Sequence, residues 1–65
     1  MNIVVCHYEP RGDNGLEGFQ LGRKYEVISV GKAFLLYSTE GTVTSPAGTY
    51  MGTAKGKKTL FKYFR

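Results

Sequence analysis

"RKYEVISVGKAFLLYST" (residues 23–39) carries the clearest structural signal in the chain. Its first half is rich in β-branched and aromatic residues, which favour a pleated backbone. Side chains alternate faces along a strand, so Tyr25, Val27 and Ser29 share one face and Glu26, Ile28 and Val30 the other. Gly31-Lys32 then separates two strand patterns by two residues with Gly first, the spacing of a tight hairpin. "AFLLYST" (33–39) is the most apolar segment, with Phe34 and Leu36 on one face and Leu35 and Tyr37 on the other. One of those two pairs must be buried. An antiparallel hairpin is therefore the nucleus of the fold.

Working outward, "NIVVCHY" (2–8) predicts a first strand, with Ile3, Val5 and His7 opposite Val4, Cys6 and Tyr8. Both faces are apolar, which suits either a small closed barrel or a strand with an interface on its outer side. "EPRGDNG" (9–15) is dense in turn formers and predicts an exposed, mobile loop, continued irregularly by "LEGFQLG" (16–22). Beyond the hairpin, "EG" (40–41) predicts a tight reversal into a short strand "TVTS" (42–45). "SPAG" (45–48) matches a type I turn, "TYMGTA" (49–54) a further strand, and "KGKK" (55–58) a charged turn. The closing "TLFKYFR" (59–65) has two readings. As a strand it places Leu60, Lys62 and Phe64 opposite Phe61 and Tyr63; as a helical turn it gathers Leu60, Phe61 and Phe64, with Lys58, Lys62 and Arg65 elsewhere. The β context favours the strand. The expected fold is mostly β: a small antiparallel barrel of five to six short strands, one domain over residues 1–65.

Such a chain hides only about 60% of the surface that its unfolded form exposes, so its core is small. The single cysteine, Cys6, has no internal disulfide partner, and a reducing setting is the simplest expectation. The apolar run Ile3-Val4-Val5-Cys6 is too short for a signal core, and no stretch approaches the roughly 20 apolar residues of a membrane span. A soluble, cytoplasmic protein is expected. Nine Lys and Arg against five Asp and Glu give a net charge of +4, which favours acidic partners.

Enzymatic chemistry has little to work with. Cys6 and His7 are adjacent in a strand and point to opposite faces, so they form no nucleophile–base pair. A structural zinc site takes four Cys or His ligands, and the chain has two such residues. Glu9, Asp13, Glu17, Glu26 and Glu40 are scattered without an acid–base pairing. "GLEGFQLG" lacks the lysine and the strand–loop–helix setting of a phosphate cradle. "RGD" (11–13), beside a free cysteine and without a secretory signal, reads as a chance tripeptide. No catalytic residue, metal or cofactor is expected.

The positive signals concern binding. Lys55, Lys57, Lys58, Lys62 and Arg65 are interleaved with Phe61, Tyr63 and Phe64, a combination that can neutralise phosphates and stack on bases. Tyrosines favour protein interfaces, and Tyr8, Tyr37, Tyr50 and Tyr63, with Arg11 in the first loop, form the expected docking surface.

"GFQLGRKYEVISV" followed by "AFLLYSTEG" resembles the small SH3-like barrel proteins encoded by bacteriophages and prophages. Phe19, Gly22, Tyr25, Val27, Tyr37, Glu40 and Gly41 carry the resemblance, with Phe61 or Phe64 as the closing aromatic. It spans residues 16–41, and the basic tail departs from it. It implies an SH3-like barrel in a bacterial host cytoplasm, acting as an adaptor, a host-protein inhibitor or a nucleic-acid binder. The leading expectation is a non-enzymatic module, monomeric or weakly dimeric, that docks on a protein with an acidic surface. The alternative is nucleic acid bound by the basic-aromatic tail.

Overall fold

The computed structural model describes residues 2–12 and 15–65. Four strands, β1 (Asn2–Val5), β2 (Lys24–Val30), β3 (Ala33–Ser38) and β4 (Tyr50–Lys55), are followed by one helix, α1 (Lys57–Tyr63). The strands pair antiparallel in the order β1-β2-β3-β4. The 23–39 hairpin holds its expected register: Val30 pairs with Ala33, Ile28 with Leu35, and Glu26 with Tyr37. Of the two candidate pairs on β3, Phe34 and Leu36 face the core. Leu36 is fully buried and Phe34 packs against the buried cluster.

The closed barrel of five to six strands is not what forms. The described residues make four strands in an open sheet, with β1 and β4 at its two edges. Residues 42–45 form no strand. Thr42 donates its N–H to the Ser45 carbonyl at 2.8 Å and its hydroxyl accepts the Ser45 N–H at 2.9 Å. Val43, fully exposed, finds nothing to pack on, so hydroxyls that bond the local backbone overrule strand propensity. The following turn closes one residue later than expected, with Thr49 N–H on the Pro46 carbonyl. That places Gly48 third, at φ 88°, a conformation glycine adopts without a Cβ penalty. Ser38 seals this loop: its hydroxyl donates to Pro46 and accepts from Thr49 N–H.

Residues 57–63 form the helix rather than the favoured strand. A helix puts Leu60 and Tyr63 on one side, both buried, and Phe64 completes that side just beyond the helix end. Phe61, which the helical alternative placed with them, points to solvent instead. Phe64 and Arg65 then return to the end of β1. Cys6 bridges Phe64, Val5 and Arg65 exchange two backbone hydrogen bonds at 3.0 Å, and His7 N–H reaches the Tyr63 carbonyl at 2.7 Å.

One face of the sheet carries the core. Phe19, Tyr25 and Phe64 meet edge to face, with ring centroids 4.8, 5.1 and 5.9 Å apart. The Tyr25 hydroxyl accepts the Gln20 N–H at 2.9 Å, satisfying its polar end inside the core. His7 and Tyr8, expected in the first strand, lie beyond the end of β1, and residues 9–12 and 15–22 are not the wholly exposed loop that turn formers suggested. Pro10, Leu16 and Phe19 are buried, and the segment lids the core face. Gly52 admits this lid: a Cβ there would stand 3.0 Å from the Gly15 carbonyl oxygen and 3.1 Å from the Phe19 ring. No helix among the described residues is long and apolar enough to cross a membrane.

Replacing Phe19 with alanine should cost about 3–5 kcal/mol, a large share of a small domain's stability. Gly52→Val should destabilise by displacing Phe19, whereas Val43→Ala, at a fully exposed site, should leave the urea midpoint unchanged. Urea denaturation followed by circular dichroism checks all three.

Candidate functional site

Antiparallel register fixes which side chains share the face opposite the core. Three cross-strand rows follow: Ile3–Glu26–Tyr37–Tyr50, Ile28–Leu35–Thr53, and Val30–Ala33–Lys55. Val5 and Lys24 begin a fourth. A register shift beside Leu36 and Tyr37 sets Met51 out of sequence and brings Tyr50 opposite Tyr37. Their rings meet at 5.6 Å, and the Tyr50 hydroxyl bonds the Thr53 hydroxyl.

Neither the 15–22 segment nor α1 covers this face, because both lie on the core side with Leu16, Phe19, Leu60 and Tyr63. Ile3 and Ile28 are each 45% exposed, Tyr50 52% and Val30 54%. A sheet with one solvated face normally alternates apolar in and polar out. Here the outward rows are mostly aliphatic and aromatic, with Glu26 the one carboxylate and Lys24 and Lys55 in the rows at opposite ends. A contiguous apolar surface of this kind marks an interaction site more often than chance exposure.

The structure divides the expected docking set. Tyr37 and Tyr50 are together on the outer face. Tyr8 is 61% exposed and Arg11 exposed, both in the first loop. Tyr63 does not belong with them: it is 5% exposed, on the core side of α1, with the Lys62 ammonium 5.2 Å from its ring. The four-tyrosine surface is therefore not assembled. The sequence had signalled the aliphatic part of the outer face through apolar residues on both sides of the strands. Which side would stay uncovered depended on the positions of residues 15–22 and α1.

The basic set divides in the same way. Lys55, Lys57, Lys58, Lys62 and Arg65 are all exposed. Of their interleaved aromatics only Phe61 is available, at 54% exposure, since Tyr63 and Phe64 fill the core. Phosphate neutralisation remains open to this surface, while stacking is reduced to one ring.

A polar cavity of about 300 Å³ lies where Arg23 and Lys24 approach the 39–45 loop. Thr42 and Thr44 share a hydrogen bond there, and the Thr39 hydroxyl donates to the Lys24 carbonyl, so these groups serve the loop's own fold. The Arg11–Asp13 tripeptide lies partly outside the described residues. Among the described residues no three of His, Cys, Asp and Glu gather as metal ligands would.

Cys6 is buried and its thiol donates to the Tyr8 carbonyl at 2.8 Å. Burial pushes its pKa up, a backbone hydrogen bond with Tyr8 opposes this, and Glu9 adds to the rise. A raised thiol pKa means slow reaction with thiol reagents at neutral pH, and alkylation should accelerate on adding urea. The folded state holds this proton more firmly than the unfolded state. Its stabilising contribution is therefore complete below the ordinary thiol value, about 8.5, and lost as pH rises through the higher folded value. Cys6→Ser should flatten that alkaline loss in a pH series of melts. Comparison with known protein families, with curated proteins and with solved structures finds no match, so any functional reading rests on the surfaces just described.

Proposed function

We propose that this protein is a non-enzymatic binding module that docks on an acidic-surfaced protein through the outer face of its sheet. The observation that carries the reading is the uncovered patch of Ile3, Ile28, Val30, Leu35, Tyr37 and Tyr50. Aromatic anchors among aliphatic residues are the usual composition of an energetic centre in a protein interface. Lys24 and Lys55 in the rows at the two ends of the face, within a chain of net charge +4, would steer an acidic partner on approach. The resemblance of residues 16–41 to phage SH3-like proteins belongs with this proposal, while the described residues form an open sheet rather than a closed barrel. It would place the module in a bacterial host cytoplasm, acting on a host protein.

A second reading, nucleic acid held by Lys55, Lys57, Lys58, Lys62 and Arg65, draws support from the exposure of all five cations. The burial of Tyr63 and Phe64 weighs against it.

Affinity capture from bacterial lysate separates the two. A protein retained after nuclease treatment should be lost with Ile28→Glu or Tyr50→Ala, each weakening binding by about 30-fold if it removes a central anchor. The same protein should survive replacement of Lys57, Lys58 and Lys62 by glutamine. Capture that depends on nucleic acid and vanishes with the triple glutamine variant would reverse the ranking.

A further inference from the structure

The edge of β1 offers a second site on different atoms. Cys6 N–H bonds the Arg23 carbonyl and so faces β2, while the N–H and C=O of Val5 face away and bond Arg65. Main-chain groups alternate sides along a strand, so the N–H and C=O of Ile3 also face away from β2. Among the described residues none bonds them. Beside this open edge lies a mostly apolar cavity of about 440 Å³ between β1 and α1, lined by Ile3, Val4, Val27, Phe34, Leu60 and Phe61, with Asn2 its one polar residue. An unpaired edge next to an apolar groove is the combination used when an extended peptide joins a sheet: main-chain bonds give affinity and alternate side chains give specificity.

The charges around the edge define the occupant. Arg65 pairs with Val5, and Val5 with Lys24, so both cations fall in one row on the outer side of β1. The cavity lining carries no charged residue. Lys24 and Glu26 both belong to β2, and β1 separates them from the open edge, which leaves Arg65 as the charge beside it.

We infer that the Ile3 edge of β1 accepts an extended segment of a protein partner as an added antiparallel strand, its apolar side chains entering the β1–α1 groove and its alternating carboxylates on the outer side beside Arg65. This strand-addition site does not rest on the outer sheet face, and either surface can fail without the other.

The geometry sets the probe. With valines in the groove, the glutamate amides of a peptide of four Val-Glu repeats point at Ile3 and the valine amides point away. The ¹⁵N-labelled full chain, titrated with this peptide to about 1 mM, a weak-affinity ceiling, should show the Ile3 amide becoming protected from exchange. Phe34 and Phe61 resonances should shift with it. N-methylation of the glutamate amides should weaken binding at least about tenfold through the lost main-chain bonds, whereas N-methylation of the valine amides should leave it largely intact. Arg65→Glu should weaken the Val-Glu peptide and strengthen a Val-Lys analogue. Ile3→Pro removes the outward N–H along with the Ile3 side chain and should also block binding, and the methylated peptides test the main-chain bonds without altering the protein.

Absence of binding, equal loss with both methylated peptides, or shifts that spare the Ile3 amide would each overturn the inference. So would protection of Ile3 that rises with protein concentration alone, which would mean a second copy occupies the edge. Tighter binding of an eight-residue oligothymidine or of phosphatidylglycerol vesicles to the α1 lysines, with Ile3 unprotected by the peptide, would also count against it.

Discussion

Everything in this small fold depends on Phe64 reaching the interior. Its ring completes the edge-to-face cluster with Phe19 and Tyr25, one residue from each of three otherwise separate parts: the lid segment, the sheet and the tail. The backbone around it is hydrogen-bonded to Val5 at the end of β1 and to His7 just beyond it, on either side of the Cys6–Phe64 bridge. Each such bond contributes only about 1 kcal/mol net. Together with a fully buried aromatic ring they tie α1 across the sheet and keep the lid seated. An open four-stranded sheet with no disulfide has few other means of holding its ends together.

That arrangement explains how far the sequence could be read. The 23–39 hairpin was legible because its two-residue period and its Gly31-Lys32 turn are local signals that agree. Tyr25 and Val27 were separable from Ile28 and Val30 by alternation, but which set would be buried was not a local property. Residues 57–63 were ambiguous for the same reason. Leu60, Tyr63 and Phe64 reach the core together only once the tail has docked on β1, a contact across nearly the whole chain. Residues 42–45 misled in the opposite direction, with strand propensity but no apolar surface for Val43 to meet. Leu16 and Phe19 sit among glycines without any period, so their burial left no pattern to read.

The same docking decides what remains for function. Once the lid and α1 occupy one face, the aliphatic and aromatic residues of the other face have no cover within the described chain. Tyr63 and Phe64 are spent on the core, which strips the basic tail of most of its stacking capacity and leaves Tyr37 and Tyr50 as the aromatic pair at the surface. Sequence had marked both tyrosines and lysines as candidates, with docking on a protein as the leading expectation and nucleic acid as the alternative. In the proposed reading, position favours the outer face over the tail, and the cations at the ends of that face would suit an acidic partner.

Native-state hydrogen exchange tests the central claim directly. The amides of Val5, His7 and Arg65 bond across the tail junction, while those of the β2–β3 hairpin lie in the middle of the sheet. If docking of Phe64 holds the fold together, the two groups should exchange with the same opening free energy, that of global unfolding. Tail amides exchanging orders of magnitude faster than the hairpin amides would show that the sheet stands without Phe64, and would contradict the account.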